Sequence, residues 1–184
     1  MNVFIISLGL LPLIRLFVLG YQDDLSANPI EFITRSTGTW ALVFLCLTLS
    51  ITPARQLTGW SKLLSYRRTL GLLVFFYACL HFSIWFWLDH NLSASEMWSD
   101  VIKRPFITVG FMAFVLLIPL ALTSNDWAVK QLKRSWAKLH RLIYLIAILA
   151  ILHYFWHKSG KNDFQTVGVY ALIIFSLLLY RLKR

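Results

Sequence analysis

The sequence predicts an all-α integral membrane protein, a six-span transmembrane helix bundle that uses residues 1–184 as one domain. Three observations predict it. The chain is 58% hydrophobic and only 14% charged, where soluble domains average about 25% charged, and its mean hydropathy is +0.66. Apolar segments recur at roughly 3–20, 39–53, 69–88, 106–122, 139–157 and 166–180, several near the ~20 residues that span a bilayer. The connections between them alternate in charge, as the positive-inside rule requires.

The N-terminal run Met1–Arg15 has no basic n-region and no small-residue cleavage site, so it reads as a retained first span rather than a signal peptide. Pro53 after Ile51-Thr52 is expected to close span two, and Pro105 to open span four, where a missing N–H costs nothing. Pro12 and Pro119 fall inside spans and predict kinks. Trp60, Trp98, Trp127, Trp136 and Trp156 sit near the expected interfaces as an aromatic belt. No solenoid-type repeat and no low-complexity tract stands out.

The connections 21–38 and 89–105 are net negative. The connection 54–68 carries Arg55, Lys62, Arg67 and Arg68 without an acid, and 123–141 carries Lys130, Lys133, Arg134, Lys138 and Arg141 against Asp126. The 158–165 turn is nearly balanced, and the tail from Arg181 to Arg184 is basic. Six spans with both termini in the cytoplasm place all three basic regions inside. The net charge of +10 is therefore explained by topology, and nucleic acid is excluded as a partner because no soluble face carries it; the surrounding partner is membrane lipid. Cys46 and Cys79 lie within apolar runs, without metal-ligand spacing, and read as small buried hydrophobes.

Polar residues at membrane depth are the functional candidates. Spans three and five run in the same direction, and His81 and His153 lie at similar depth in their outer halves. Two imidazoles facing each other across a helix bundle can ligate a haem iron axially; the structural alternative is a histidine pair hydrogen-bonded inside the bundle. His140 lies thirteen residues before His153, and Arg68 thirteen before His81. His140 is a candidate inner haem ligand, but on a straight helix it is roughly 140° out of phase with His153, so both face one bundle interior only with supercoiling or a local tightening. His157, four residues after His153, and His90 read as interfacial. Arg15 either snorkels or pairs with a haem propionate. Arg55, Arg67 and Arg68 form an inner basic cluster, explained by topology or by an anion site for a flavin phosphate, a propionate or a quinone headgroup. There is no G-x-G-x-x-G motif and no P-loop, so electrons are expected from a quinol, a bound flavin or a separate reductase.

Several stretches together resemble the MsrQ family of haem-binding membrane subunits, part of the ferric-reductase-like transmembrane group. They are Gly9-Leu10-Leu11-Pro12, Asn28-Pro29, Thr37-Gly38, Ile51-Thr52-Pro53, Arg67-Arg68-x-Leu70-Gly71 leading to Leu80-His81, Arg104-Pro105 to Gly110, Leu122-Thr123-Ser124, and Trp136-x-x-Leu139-His140 to His153-Tyr154-x-Trp156. They cover nearly the whole chain. The resemblance implies one or two b-type haems on His81, His140 and His153. It implies electrons from the quinone pool or a flavin, FMN included, and delivery to a periplasmic molybdopterin methionine sulfoxide reductase in the bacterial inner membrane system. Wider relatives have two histidines on each haem helix; here Arg68 replaces one. Two rival functions are a stand-alone transmembrane ferric or quinone reductase and a proton or ion pathway through His140, His153, His157 and Arg15. A third is a structural assembly subunit.

Overall fold

The computed structural model describes residues 2–159 and 164–182. Within them the chain is helical throughout: α1 Val3–Tyr21, α2 Pro29–Thr58, α3 Leu63–Ile84 continued by a π-helical turn Trp85–Asp89, α4 Ala94–Lys103, α5 Pro105–Leu122, α6 Asp126–Leu132, α7 Arg134–His140, α8 Leu142–Ser159 and α9 Gln165–Leu182. Five stretches are long and apolar enough to cross a membrane: Val3–Tyr21, Pro29–Thr58, Leu63–Asp89, Pro105–Leu122 and Arg134–Ser159. A shorter apolar helix, Gln165–Arg181, stands in the place of the sixth span. The helices present large apolar side chains outward, Phe4, Phe17, Leu172 and Leu179 among them, as lipid solvent allows. The core is made by helix–helix packing around Leu45, Leu49, Tyr77, Ala147 and Ile174.

Helix boundaries depart from the expected spans where local chemistry is stronger than hydropathy. Span two begins ten residues early, at Pro29 rather than near residue 39. The Asn28 side chain accepts from the Glu31 N–H, and proline occupies the first turn. Thr37 and Gly38 are therefore inside α2, not ahead of it. Nor does Pro53 close the helix: α2 runs on to Thr58 and ends at Gly59 with φ of 71°, the left-handed cap glycine favours. Proline at 53 deprives the Leu49 carbonyl of its helical N–H. Arg181 on α9 supplies the missing donor, its Nη2 lying 2.7 Å from Leu49 O. The connection 54–68 thus shrinks to a four-residue turn between Thr58 and Leu63.

The expected span 139–157 is broken at Arg141. Arg141 N–H bonds back to Lys138 O and Tyr144 N–H to Arg141 O, a tightened three-residue spacing. His140, just ahead of this break, contacts Trp136 and Thr123 rather than the surroundings of His153. Two surface helices also fill what hydropathy left as loops: α4, capped by Ser93, and α6, capped by Asn125. Of the 158–165 turn, residues 160–163 lie outside the described residues, as do Lys183 and Arg184 of the basic tail.

Two helix pairs position the site. α2 packs most extensively on α3, and α5 on α8. The pairs are repeats of one another: Thr34 and Phe106, Gly38 and Gly110, Ala41 and Ala113, Leu45 and Leu117, Val74 and Ile146, Ala78 and Ala150, and His81 and His153 all differ by 72 in number, and all line one cavity. Because α2 and α5 run one way and α3 and α8 the other, the halves are parallel repeats. Their interface is where intramembrane binding sites form in such proteins.

Candidate functional site

His81 on α3 and His153 on α8 face each other across this cavity, of about 400 Å³, a size typical of small-molecule sites. Their ring centroids are 6.1 Å apart and the planes nearly perpendicular, at 79°. His81 Nδ1 lies 2.8 Å from Thr34 O, and His153 Nδ1 lies 2.7 Å from Phe106 O. A carbonyl can only accept, so each Nδ1 carries the proton and donates. Each Nε2 is left with its lone pair, the form in which imidazole ligates a metal, and the backbone carbonyl is the usual outer partner that orients such a ligand.

Glycines make room for both rings. A Cβ at Gly38 would sit 3.0 Å from His81 Nδ1 and Cε1, and one at Gly110 only 2.6 Å from His153 Nδ1. Each glycine lies one helical turn after the carbonyl that receives the histidine proton, Thr34 before Gly38 and Phe106 before Gly110. One turn of α2 and one of α5 therefore build the same cradle. Among the described residues no three His, Cys, Asp or Glu side chains group as a metal cage. The His81 and His153 Nε2 atoms would instead hold a metal whose remaining ligands come from a planar cofactor.

The cavity walls are apolar, with Leu42, Leu45, Phe114 and Leu117 among them, and its charged lining residues, Glu31, Arg35, Asp89, Arg104 and Lys158, collect at one end. An aromatic series runs along the wall. Phe82 stacks on Phe114 at 4.8 Å and meets Phe111, which in turn contacts the exposed Trp98 of α4.

The other sequence candidates lie elsewhere. His140 stacks on Trp136 at 4.0 Å, and its Nε2 is 3.0 Å from Thr123 Oγ1. The threonine hydroxyl donates to Pro119 O at 2.6 Å, so it accepts from His140 Nε2–H. Arg68 corresponds to His140 under the 72-residue offset, yet it points to Asp126, with Nη2 2.6 Å from Oδ1. That pair holds the Asp126 carboxyl below the usual carboxylate range, chiefly through the hydrogen bond from Arg68. Arg67 is half-buried, within electrostatic reach of Arg181, Tyr144 and His140. Arg15 is exposed on α1 and is not among the cavity's lining residues. His157 does line the cavity, and His90 is buried beside Asp100.

Sequence reasoning assigned no role to Gly38, Gly110, Arg35 or Arg104. The signal that exposes the glycines is the recurrence of G-x-x-A-x-V-x-L at Gly38 and Gly110, followed in each half by A-x-L-H at 78–81 and 150–153.

Fold and site define a class: polytopic helical membrane proteins organised around an intramembrane histidine pair. Residues 37–151 match the family described as ferric reductase like transmembrane component. The chain is 57% identical over 174 residues to the protein-methionine-sulfoxide reductase heme-binding subunit MsrQ of Herminiimonas arsenicoxydans, a match covering 94% of this chain and 80% of that protein. To the subunit of the same name from Bordetella pertussis it is 54% identical, over 94% of this chain and 84% of the relative. A more distant namesake from Brucella anthropi is 43% identical over 97% of this chain and 80% of its own length. The chain belongs to the ferric-reductase-like transmembrane family, and within it to the MsrQ heme-binding subunits. No solved structure matches it.

Proposed function

We propose that this protein is a b-type haem subunit carrying electrons through the bacterial inner membrane to a periplasmic methionine sulfoxide reductase, a molybdopterin enzyme that repairs oxidised envelope proteins. The observation that carries the reading is the pair His81 and His153, each with its Nδ1 proton fixed on a backbone carbonyl and its Nε2 left to ligate, with ring centroids 6.1 Å apart in one cavity. A haem bound between them supplies one-electron chemistry. The protein's own work is to fix both imidazole tautomers, to hold the rings rigidly on Gly38 and Gly110, and to exclude water with apolar walls.

The donor is a quinol or a reduced flavin, FMN included, at the end of the bundle where Arg67, Arg68 and His140 lie. Arg55 and Arg67 are the residues of the inner basic cluster left for an anionic headgroup there, since Arg68 is engaged with Asp126. His140 holds a second haem only if its Nε2 exchanges Thr123 for iron. Both termini lie in the cytoplasm in this reading, and a cytoplasm-dependent reporter fused after Arg184 gives signal.

The test is a reduced-minus-oxidised spectrum with a pyridine haemochrome count on the detergent-purified protein, compared with His81→Ala, His153→Ala and His140→Ala. Loss or halving of a b-type signal in the first two variants supports the pair, and the third counts the haems. A colourless wild type from haem-replete cells overturns the reading.

A further inference from the structure

The charged end of the histidine cavity has its own architecture. The cavity body obeys the 72-residue offset, from Gly38 and Gly110 to His81 and His153. The two arginines do not: Arg35 corresponds to Ile107, and Arg104 to Phe32. The charged residues come from the starts of α2 and α5 and the ends of α8 and the π turn, and so gather at one mouth. A pseudo-symmetric body closed by an asymmetric polar edge suits a flat apolar ligand with charge on one side.

We propose, resting on the haem reading above, that this mouth receives the carboxylates on one edge of a porphyrin, with Arg35 and Arg104 as the receiving cations. Guanidinium is the side chain whose planar fork matches a carboxylate. Each arginine is pinned by an acid one turn earlier. Arg35 Nη1 lies 3.4 Å from Glu31 Oε1, and Arg104 Nε lies 3.0 Å from Asp100 Oδ1. The Asp100 contact uses Nε of Arg104, and 58% of that side chain remains exposed at the mouth.

The Arg104 mount continues inward. Only 15% of the Asp100 side chain is exposed, and a carboxylate so placed needs partners. His90 Nε2 approaches its second oxygen at 3.2 Å, close enough to pair though off the hydrogen-bond direction. His90 in turn meets Trp85 edge-on, with centroids 4.7 Å apart, and Trp85 lines the cavity. The segment carrying His90 follows the π turn and places Asn91 and Leu92 at φ of 47° and 62°. Non-glycine residues adopt that region at a cost, and such turns cluster at functional sites. The Thr108 hydroxyl bonds Val101 O and ties α4 to α5. His90 and Asp100 are thus positioning residues for the Arg104 guanidinium.

The experiment loads the full chain, made in haem-depleted cells and purified in detergent, with haemin or with haemin dimethyl ester, whose carboxylates are masked. Release is followed by transfer to excess apomyoglobin. Wild type is expected to keep haemin roughly tenfold longer than the diester, about the strength of one charge-assisted hydrogen bond. Arg104→Gln moves haemin release most of the way to the diester rate, the remainder being held by Arg35, and leaves the diester rate unchanged. Arg104→Lys falls between. His90→Phe speeds haemin release partway and adds nothing in the Arg104→Gln background. Should Arg104→Gln fail to fold, Arg35→Gln reads the same discrimination. Equal release of the two porphyrins from wild type overturns the proposal, as does an Arg104→Gln variant that releases both faster by one factor. A wild type giving no b-type spectrum with either porphyrin overturns the haem reading itself.

Discussion

Gly110 and His153 are packed so closely that a methyl group on the glycine would lie 2.6 Å from the imidazole Nδ1. The ring cannot retreat without losing its bond to Phe106 O. Gly110→Ala is therefore expected to remove most of the b-type absorbance at normal expression. Gly38→Ala, where the same methyl would stand 3.0 Å from His81, needs only a small adjustment and keeps most of it. The check is haem per protein for the two variants side by side. Equal loss would show that the cradles are not graded by clearance.

Tyr77 is fully buried and its hydroxyl donates to Gly9 O at 2.7 Å, joining α3 to α1. Its ring stacks on Phe44. Tyr77→Phe keeps the packing and removes this hydrogen bond between α3 and α1. Interhelical hydrogen bonds in membranes are worth about 0.6 to 2 kcal/mol, so thermal stability in detergent should drop by that order. The haem spectrum should not change, because Tyr77 does not line the cavity.

Much of this was legible in the sequence, and the omissions have physical causes. Hydropathy and charge alternation located the six apolar helices, and depth matching paired His81 with His153. Hydropathy could not place the start of α2, because Asn28 and Pro29 set it through capping rather than burial. It could not show that α2 passes Pro53, because the donor that relieves Leu49 O is Arg181, over a hundred residues away. The glycine cradles were hidden for a related reason. A glycine in an apolar run reports only that a side chain is missing; the ring that fills the space comes from another helix. Arg68 and His140 looked equivalent by spacing, and they diverge because Asp126 on α6 captures the arginine.

The Arg68–Asp126 pair predicts a pH response. The carboxyl is held below its usual range when folded. Its stabilising effect is therefore complete above the unfolded pKa of about 3.9 and is lost as pH falls through the lower folded value. Asp126→Asn should flatten the acid limb of a stability–pH profile below about pH 4. At pH 7 the effect should be small, since the pair is exposed to solvent and salt. An unchanged acid limb would show that the pair makes no contribution in solution.

Arg181 predicts a coupling between two distant positions. Its guanidinium reaches Leu49 O at 2.7 Å, Thr52 Oγ1 at 3.3 Å and Tyr144 OH at 3.1 Å, and it lies over the Tyr144 ring. The Leu49 carbonyl needs this donor because residue 53 is proline. Arg181→Met should destabilise the bundle by about 1.5–3 kcal/mol, the range for hydrogen bonds made by charged groups. Pro53→Ala restores an N–H to Leu49 O, so in the Arg181→Met background it should recover part of the loss. In the wild-type background it makes the arginine contact partly redundant. A double-mutant cycle on thermal unfolding in detergent measures the interaction, and additive effects within about 0.5 kcal/mol would show that Arg181 holds α9 through Tyr144 and Thr52 instead.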